Sequence, residues 1–150
     1  MTEYRLNQQE LEQVCRLFRA NRFDLHIKGL IVSGFFLALM TNSAFYYFIN
    51  RSLIGMIVLP LSVVIFIGIF PKIVLTRLES GNYSGKIGVA KRLAMARGLG
   101  SIFVQDDDFL SAFISRAINN THYYAAEISD EILVIRVLWV RYMVVRKLLA

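Results

Sequence analysis

The sequence is poor in the residues that build disulfides and zinc sites. Cys15 is the only cysteine among 150 residues, so no disulfide can form within the chain and nothing indicates an oxidising compartment. The two histidines, His26 and His122, are far apart in the sequence, which argues against a zinc site built from these ligands. We therefore expect neither a metal nor a cofactor.

Motifs of the common enzyme classes are also missing. The chain contains no phosphate-binding loop, dinucleotide fingerprint, zinc-protease motif or nucleophile elbow. Ser115, His122 and Asp130 could be combined into a hydrolytic triad on paper, but their spacing gives that idea no support. The sequence therefore predicts a protein without enzymatic activity.

Charged residues are absent from two long apolar runs, residues 29–49 and residues 53–70. The runs contain 21 and 18 residues, and three polar residues separate them. A helix needs about 20 residues to cross the core of a bilayer. We interpret residues 29–76 as a transmembrane hairpin with helices at 29–49 and 53–71. Two buried helices of a soluble protein are disfavoured, because the remaining chain could hardly cover both runs.

Lysine and arginine flank the two runs unequally. Residues 1–28 hold five of them and residues 72–105 hold six, whereas the connecting segment holds only Arg51. Because positive charge is enriched on the cytoplasmic side of membrane helices, both termini are predicted to be cytoplasmic. The formal net charge of +6 favours an anionic neighbour, and the cytoplasmic leaflet of a bacterial inner membrane is the simplest one.

Small and polar residues recur on one side of the first predicted membrane helix. Small residues let two helix backbones approach closely, and an amide in hydrocarbon seeks a hydrogen-bond partner. We therefore predict a helix-packing seam that runs between the two membrane helices. Its residues are Gly34, Ala38, Thr41 and Asn42 on the first helix, and Gly55 and Ser62 on the second. The alternative is an oligomeric pore lined by Thr41, Asn42 and Ser62.

Proline positions add two predictions about the second membrane helix. Pro60 lies inside the run, where it removes a backbone hydrogen bond and is expected to kink the helix. Pro71, between Phe70 and Lys72, marks the predicted exit from the membrane.

The first 28 residues predict an amphipathic helix that begins near residue 8. Asn7 can cap this helix and Glu10 can complete a capping box. Apolar residues then follow at Leu11, Val14 and Phe18, the spacing of one helical face. This face could pack on a partner, on the C-terminal part of the chain or on lipid headgroups.

A basic segment over residues 86–97 follows the hairpin. It reads as a helix whose lysines and arginines lie close to lipid headgroups. It is either the ordinary positive flank of a membrane helix, which we favour, or a helix lying on an anionic surface. Nucleic-acid binding is not supported, because no aromatic residues alternate with the cations. The predicted headgroup residues are Lys86, Lys91, Arg92 and Arg97.

Three consecutive acids, Asp106, Asp107 and Asp108, resemble a cation site at first sight. On a helix such neighbours point about 100° apart, and the next acid is Glu127, so an oxygen cage is not evident. We predict instead that they cap a helix running to Ile118.

The C-terminal segment, residues 132–149, is apolar but contains Arg136 and Arg141. We favour a cytoplasmic helix partly buried on protein or headgroups, with a third membrane span and a β segment as alternatives. A single strand fits poorly, because the two arginines have opposite parity and would face opposite sides.

Together these features predict an all-α membrane protein. It has a transmembrane hairpin at 29–76, an amphipathic cytoplasmic helix at 1–28 and a basic, partly membrane-associated helical region at 77–150. We expect a non-enzymatic inner-membrane protein that acts through protein–protein contacts. An accessory subunit of a secretion or conjugation machine, or an immunity or exclusion factor, would fit. The alternatives are an anionic-lipid-binding protein that shapes or senses membranes and a small oligomeric channel. The expected partners are membrane lipid and other membrane proteins or a second copy, not nucleic acid.

Overall fold

The computed structural model describes residues 1–41, 53–96, 99–105 and 116–149. The chain divides into two units, and each is described by itself. The sheet unit contains Met1–Asn21 and Val74–Ala150, and the helical unit is Arg22–Ile73. The helices are α1 Gln8–Ala20, α2 Arg22–Thr41, α3 Leu53–Glu79 and α4 Asn120–Ala125, with a 3₁₀ turn at Arg146–Leu148. The strands are β1 Thr2–Glu3, β2 Ser84–Ala96, β3 Leu99–Val104, β4 Arg116–Ala117, β5 Glu131–Val137 and β6 Val140–Val145.

The all-α prediction is wrong, because the described strands form one six-stranded sheet. The order is β1-β2-β5-β6-β4, and β3 pairs with the second half of β2. The pairs are antiparallel except for the short parallel contact between β4 and β6. The protein is therefore mixed α/β, and the described residues after α3 are mainly sheet.

The basic segment is strand β2 and not a helix. Ala90 is paired with Val104 and Arg92 with Phe103, so Lys91 is an extra residue in a β-bulge. Such a bulge shifts the alternation of side chains by one position. Ala90 and Leu93 consequently contribute to one core cluster although they are three residues apart. The bulge therefore hides the regular alternation by which a strand is recognised in a sequence.

The C-terminal segment is a hairpin of β5 and β6, so neither the preferred helix nor a third span is formed. Its loop is only Leu138 and Trp139, because Val137 pairs directly with Val140. A two-residue loop sets Arg136 opposite Arg141, on the same face of the sheet. The parity argument treated the segment as one strand and failed at this reversal.

Apolar side chains fill both faces of this hairpin. One face carries a core cluster: Ala90, Ile102, Val104, Ala126, Ile132, Val134, Met143 and Val145. On the other face, the Phe18 ring of α1 meets Tyr142 edge-on at 5.0 Å between centroids. Strands buried on both faces lose the alternation of apolar and polar residues, so they read as continuous apolar runs.

Helix α1 begins where the sequence predicts. The Asn7 side chain accepts a hydrogen bond from the Glu10 backbone N–H, and the Glu10 carboxylate accepts from the Asn7 backbone N–H. The helix ends at Ala20, where Asn21 caps it. Of the three surfaces on which this helix could pack, it uses the chain's own C-terminal strands.

Helix α3 passes through Pro71, so the predicted exit at that proline is not the end of the helix. It ends at Glu79 with two closing hydrogen bonds, from Gly81 N–H to the Leu78 carbonyl and from Asn82 N–H to the Arg77 carbonyl. Gly81 has φ +77°, the left-handed conformation that this ending requires and that glycine adopts without strain. Four residues then lead into β2.

Candidate functional site

The helical unit exposes a large apolar surface. Its exposed side chains on α2 are Phe23, Ile27, Leu30, Ile31 and Phe35, and on α3 they are Leu61, Val64, Ile65, Ile69 and Ile73. On each helix these positions recur at three or four residues, so they form one stripe. Phe23 is 76% exposed, and Phe35 and Val64 are each 66% exposed.

One helical segment in the described part of the chain, Leu61–Glu79, is long and apolar enough to cross a membrane. Its mean hydropathy is 2.0, and 22% of its apolar window is buried. A core helix of a soluble protein can have the same length and composition. Such a helix would be mostly buried, which this one is not.

Two polar side chains in the described part of the helical unit, those of His26 and Ser33, find backbone partners inside it. The Ile67 carbonyl lies four residues before Pro71, which has no N–H to offer it. His26 Nδ1 donates to this carbonyl at 3.0 Å, so the ring carries a proton on that nitrogen. On α2 the Ser33 hydroxyl donates to the Gly29 carbonyl at 2.8 Å. Satisfied backbone groups are a requirement for helices in lipid.

The contact between α2 and α3 that the structure describes involves Gly29 and Phe70. A Cβ on Gly29 would come within 3.2 Å of the Phe70 ring, so glycine permits the close approach there. A small residue at 29 and a carbonyl freed by Pro71 are sequence signals that could have located this contact.

The predicted seam residues lie elsewhere. Gly34, Ala38 and Ser62 are exposed, and a Cβ on Gly34 would meet nothing within 4 Å. Asn42 lies outside the described residues, and for Thr41 and Gly55 only the helical backbone is described. A packing role for this set therefore stays a prediction.

The predicted headgroup residues lie on a strand and not along a helix. Lys86 of β2 is the cross-strand partner of Glu3 in β1. The Arg92 guanidinium lies 5.8 Å from the centre of the Phe103 ring. Lys91 occupies the bulge, and Arg97 lies outside the described residues. Contact of these residues with lipid also stays a prediction.

A charged cleft of about 390 Å³ lies where the 3₁₀ turn meets β5. Arg146 pairs with Glu131 at 2.6 Å and Lys147 pairs with Asp130 at 2.8 Å. The hydrogen bond from Lys147 lowers the pKa of the Asp130 carboxyl and raises that of the lysine. The Arg146 guanidinium lies 5.0 Å from the centre of the Tyr4 ring. Both cations of the cleft are therefore already paired with acids.

The suggested triad is not assembled among the described residues. His122 is buried, and its Nδ1 accepts the Val145 backbone N–H at 3.1 Å. Burial lowers the pKa of His122, so the ring is neutral. Asp130 is bound to Lys147 and to the Glu127 N–H. Ser115 lies outside the described residues.

The single cysteine is a buried residue of helix α1. Cys15 is buried in α1, and burial raises the pKa of its thiol. Within residues 1–41, 53–96, 99–105 and 116–149, no three His, Cys, Asp or Glu side chains are grouped to hold a metal ion. The three consecutive aspartates lie outside those ranges. The helix predicted after them is wrong at its end, because Arg116–Ala117 is strand β4.

Comparisons with known protein families, with curated proteins and with solved structures find no match.

Proposed function

We propose that this protein is an integral membrane protein whose helices α2 and α3 cross a bilayer. The observation that carries the proposal is the exposed apolar stripe on each helix, together with the low burial of Leu61–Glu79. In water each exposed apolar square ångström costs about 25 cal/mol, so a stripe of this extent is stable only against lipid or another apolar surface.

The orientation that we propose places the sheet unit in the cytoplasm of a bacterial-type cell. Lysine and arginine are concentrated on the segments before α2 and after the apolar part of α3. Asp24 and Lys28, which form an ion pair at 3.0 Å within α2, mark the more polar end of that helix.

The role that we propose is non-catalytic binding of another membrane protein. The exposed side of α2 at Gly34 and Ala38 leaves room for a second transmembrane helix to approach closely. An accessory subunit of a membrane-bound machine, or a factor that blocks such a machine, would work in this way.

Two measurements test the proposal. The full chain, made in bacterial cells, is expected to stay in the membrane pellet after alkaline carbonate washing and to dissolve in detergent. Single cysteines at Ser52 and Ser84, in a Cys15→Ala background, are expected to label from opposite sides of the membrane. Release by carbonate contradicts membrane insertion, and labelling of both sites from one side contradicts the hairpin.

The binding role is tested by crosslinking. A photoreactive residue at Ala38 is expected to capture a membrane protein, whereas one at Arg16 on α1 serves as the control. Equal products from both positions, or none from Ala38 in the native cell, contradict the role.

A further inference from the structure

The turn between β5 and β6 combines two features that a hairpin ordinarily avoids. Leu138 has φ +56°, a left-handed conformation in which tight hairpins use glycine or asparagine. Directly beside it, Arg136 and Arg141 are cross-strand partners, although like charges in that position repel. Local strain of this kind is concentrated at functional positions in proteins.

The side chains at this turn have a common chemistry. Trp139, the only tryptophan in the chain, is 42% exposed. Arg136 is exposed, and its Nε donates to the Leu138 carbonyl at 3.2 Å, which holds the guanidinium beside the turn. Arg141, the cross-strand partner of Arg136, is 9% exposed. An aromatic ring with an apolar body and polar edge, next to cations, is the composition of a membrane–water interface.

Sheet register adds a further cation to the same face. Ser84 pairs with Arg136 and Lys86 pairs with Val134, so Lys86 and Arg136 lie on one face of the sheet. Glu3 of β1 is the cross-strand partner of Lys86, so this face also carries an acid. Among the described residues of this face, the exposed cations Lys86 and Arg136 outnumber the acid Glu3.

Chain connectivity brings this end of the sheet close to the end of α3. Glu79 ends the helix and Ser84 begins β2, so five residue steps separate them and span at most about 17 Å. Because Ser84 is paired with Arg136, the turn belongs to the end of the sheet that follows the membrane helix.

We propose that the β5–β6 turn binds the surface of an anionic bilayer. Leu138 and Trp139 enter the headgroup region, and Arg136 and Lys86 bind lipid phosphates. The inference rests on the proposed function, because it requires that α2 and α3 anchor the chain in a bilayer. The sheet unit would then respond to the charge of the membrane in which the chain is anchored.

Trp139 makes the test specific, because all tryptophan fluorescence comes from the turn. The full chain is reconstituted into nanodiscs of phosphatidylcholine, with or without phosphatidylglycerol. In the anionic discs we expect a blue-shifted emission, weaker quenching by acrylamide and stronger quenching by brominated lipid. These changes are expected to diminish as salt is added, since surface electrostatics are screened.

The variants Arg136→Gln and Lys86→Gln separate charge from simple proximity. Loss of one cation near an anionic surface is expected to lower the ratio of lipid-bound to lipid-free turn by about fivefold. Arg16→Gln, which removes an exposed cation from α1, is the matched control and is expected to leave the fluorescence response unchanged. Circular dichroism of each variant checks that the sheet is intact.

A second reporter tests the location. In Trp139→Phe, the substitution Tyr124→Trp places the only tryptophan on α4, whose His122 bonds the opposite end of β6. Its emission is expected to be independent of lipid charge. The same response from this reporter would show that the contact is not at the turn and would overturn the proposal.

Four other outcomes also decide the question. Equal Trp139 emission in both kinds of disc overturns the inference and leaves the proposed function standing. A response to inorganic phosphate in neutral discs shows a site for a free anion, and capture of a protein at the turn instead of lipid quenching shows a protein interface. Either result overturns the lipid assignment. A chain that does not incorporate into discs and is released by carbonate overturns the proposed function as well.

Discussion

The helical unit and the sheet unit place apolar side chains in opposite ways. Phe18 in the sheet unit is completely buried, whereas Phe23, five residues later in the helical unit, is 76% exposed. Strand β6 is buried along its whole length, but the apolar stripes of α2 and α3 face outward. Similar apolar runs therefore serve a protein core in one unit and, in our proposal, a lipid contact in the other.

The largest expected effect comes from emptying the core of the sheet unit. Phe18→Ala removes a fully buried ring that packs on Tyr142, and we expect the free energy of unfolding to fall by about 3–5 kcal/mol. Denaturation of the detergent-solubilised chain, followed by proteolysis of the sheet unit, measures the loss. Phe23→Ala is the matched control and is expected to leave this value unchanged. Equal losses from both variants would remove the contrast between the units.

A charge placed on the outward stripe of α3 should hinder membrane insertion. Val64→Arg puts a cation on an exposed apolar position, at a cost of about 2.5–3.5 kcal/mol if the position lies near the middle of the bilayer. The fraction of newly made chain that resists carbonate measures this effect, with Val64→Leu as control. If Val64→Arg inserts as well as the control, the stripe does not face lipid.

Two glycines offer a smaller test of the same contrast. A Cβ on Gly88 of β2 would overlap the Val104 side chain, whereas one on Gly34 of α2 would meet nothing. Gly88→Ala is therefore expected to destabilise the sheet unit by about 1–3 kcal/mol, through overpacking. Gly34→Ala is expected to cause no loss. The thermal unfolding midpoints of the two variants, measured side by side, test this expectation. A Gly88→Ala protein as stable as the original would contradict the packing of β2 on β3.

The smallest expected effect is a pH dependence that belongs to the sheet unit alone. Burial lowers the pKa of His122 below its ordinary value of 6.5, so the unfolded chain binds a proton more readily than the folded one. Stability is therefore complete above pH 6.5 and declines as the pH falls below it. His122→Gln keeps an acceptor for the Val145 N–H and should remove this slope. A slope that persists in the variant would assign it to other groups.

The parts of the fold that could be read from the sequence depend on local signals. The capping box of Asn7 and Glu10 involves residues three apart, and α1 begins there as predicted. The β2 strand was missed because a bulge at Lys91 hides its regular alternation. The β5–β6 hairpin was missed because it is buried on both faces and its turn uses Leu138 and Trp139 instead of glycine or asparagine.

The candidate sites show the same limit. The sequence shows that Lys86 is a cation and suggests that it lies at the surface. Only the register of β2, β5 and β6 places it on one face of the sheet with Arg136 and Arg141. The partner of the Ile67 carbonyl lies 41 residues away, at His26. Contacts over such separations depend on the tertiary fold, which local patterns do not specify.

The hydrogen bond between His26 and Ile67 has a consequence for biogenesis. The Ile67 carbonyl lacks its usual donor within the helix, because Pro71 has no N–H, and His26 takes that place. Helix α2 is synthesised before α3, so the histidine is already available when this carbonyl enters the lipid. Under the proposed topology, α3 should insert poorly by itself and well beside α2. The order of translation is then part of the assembly of the hairpin.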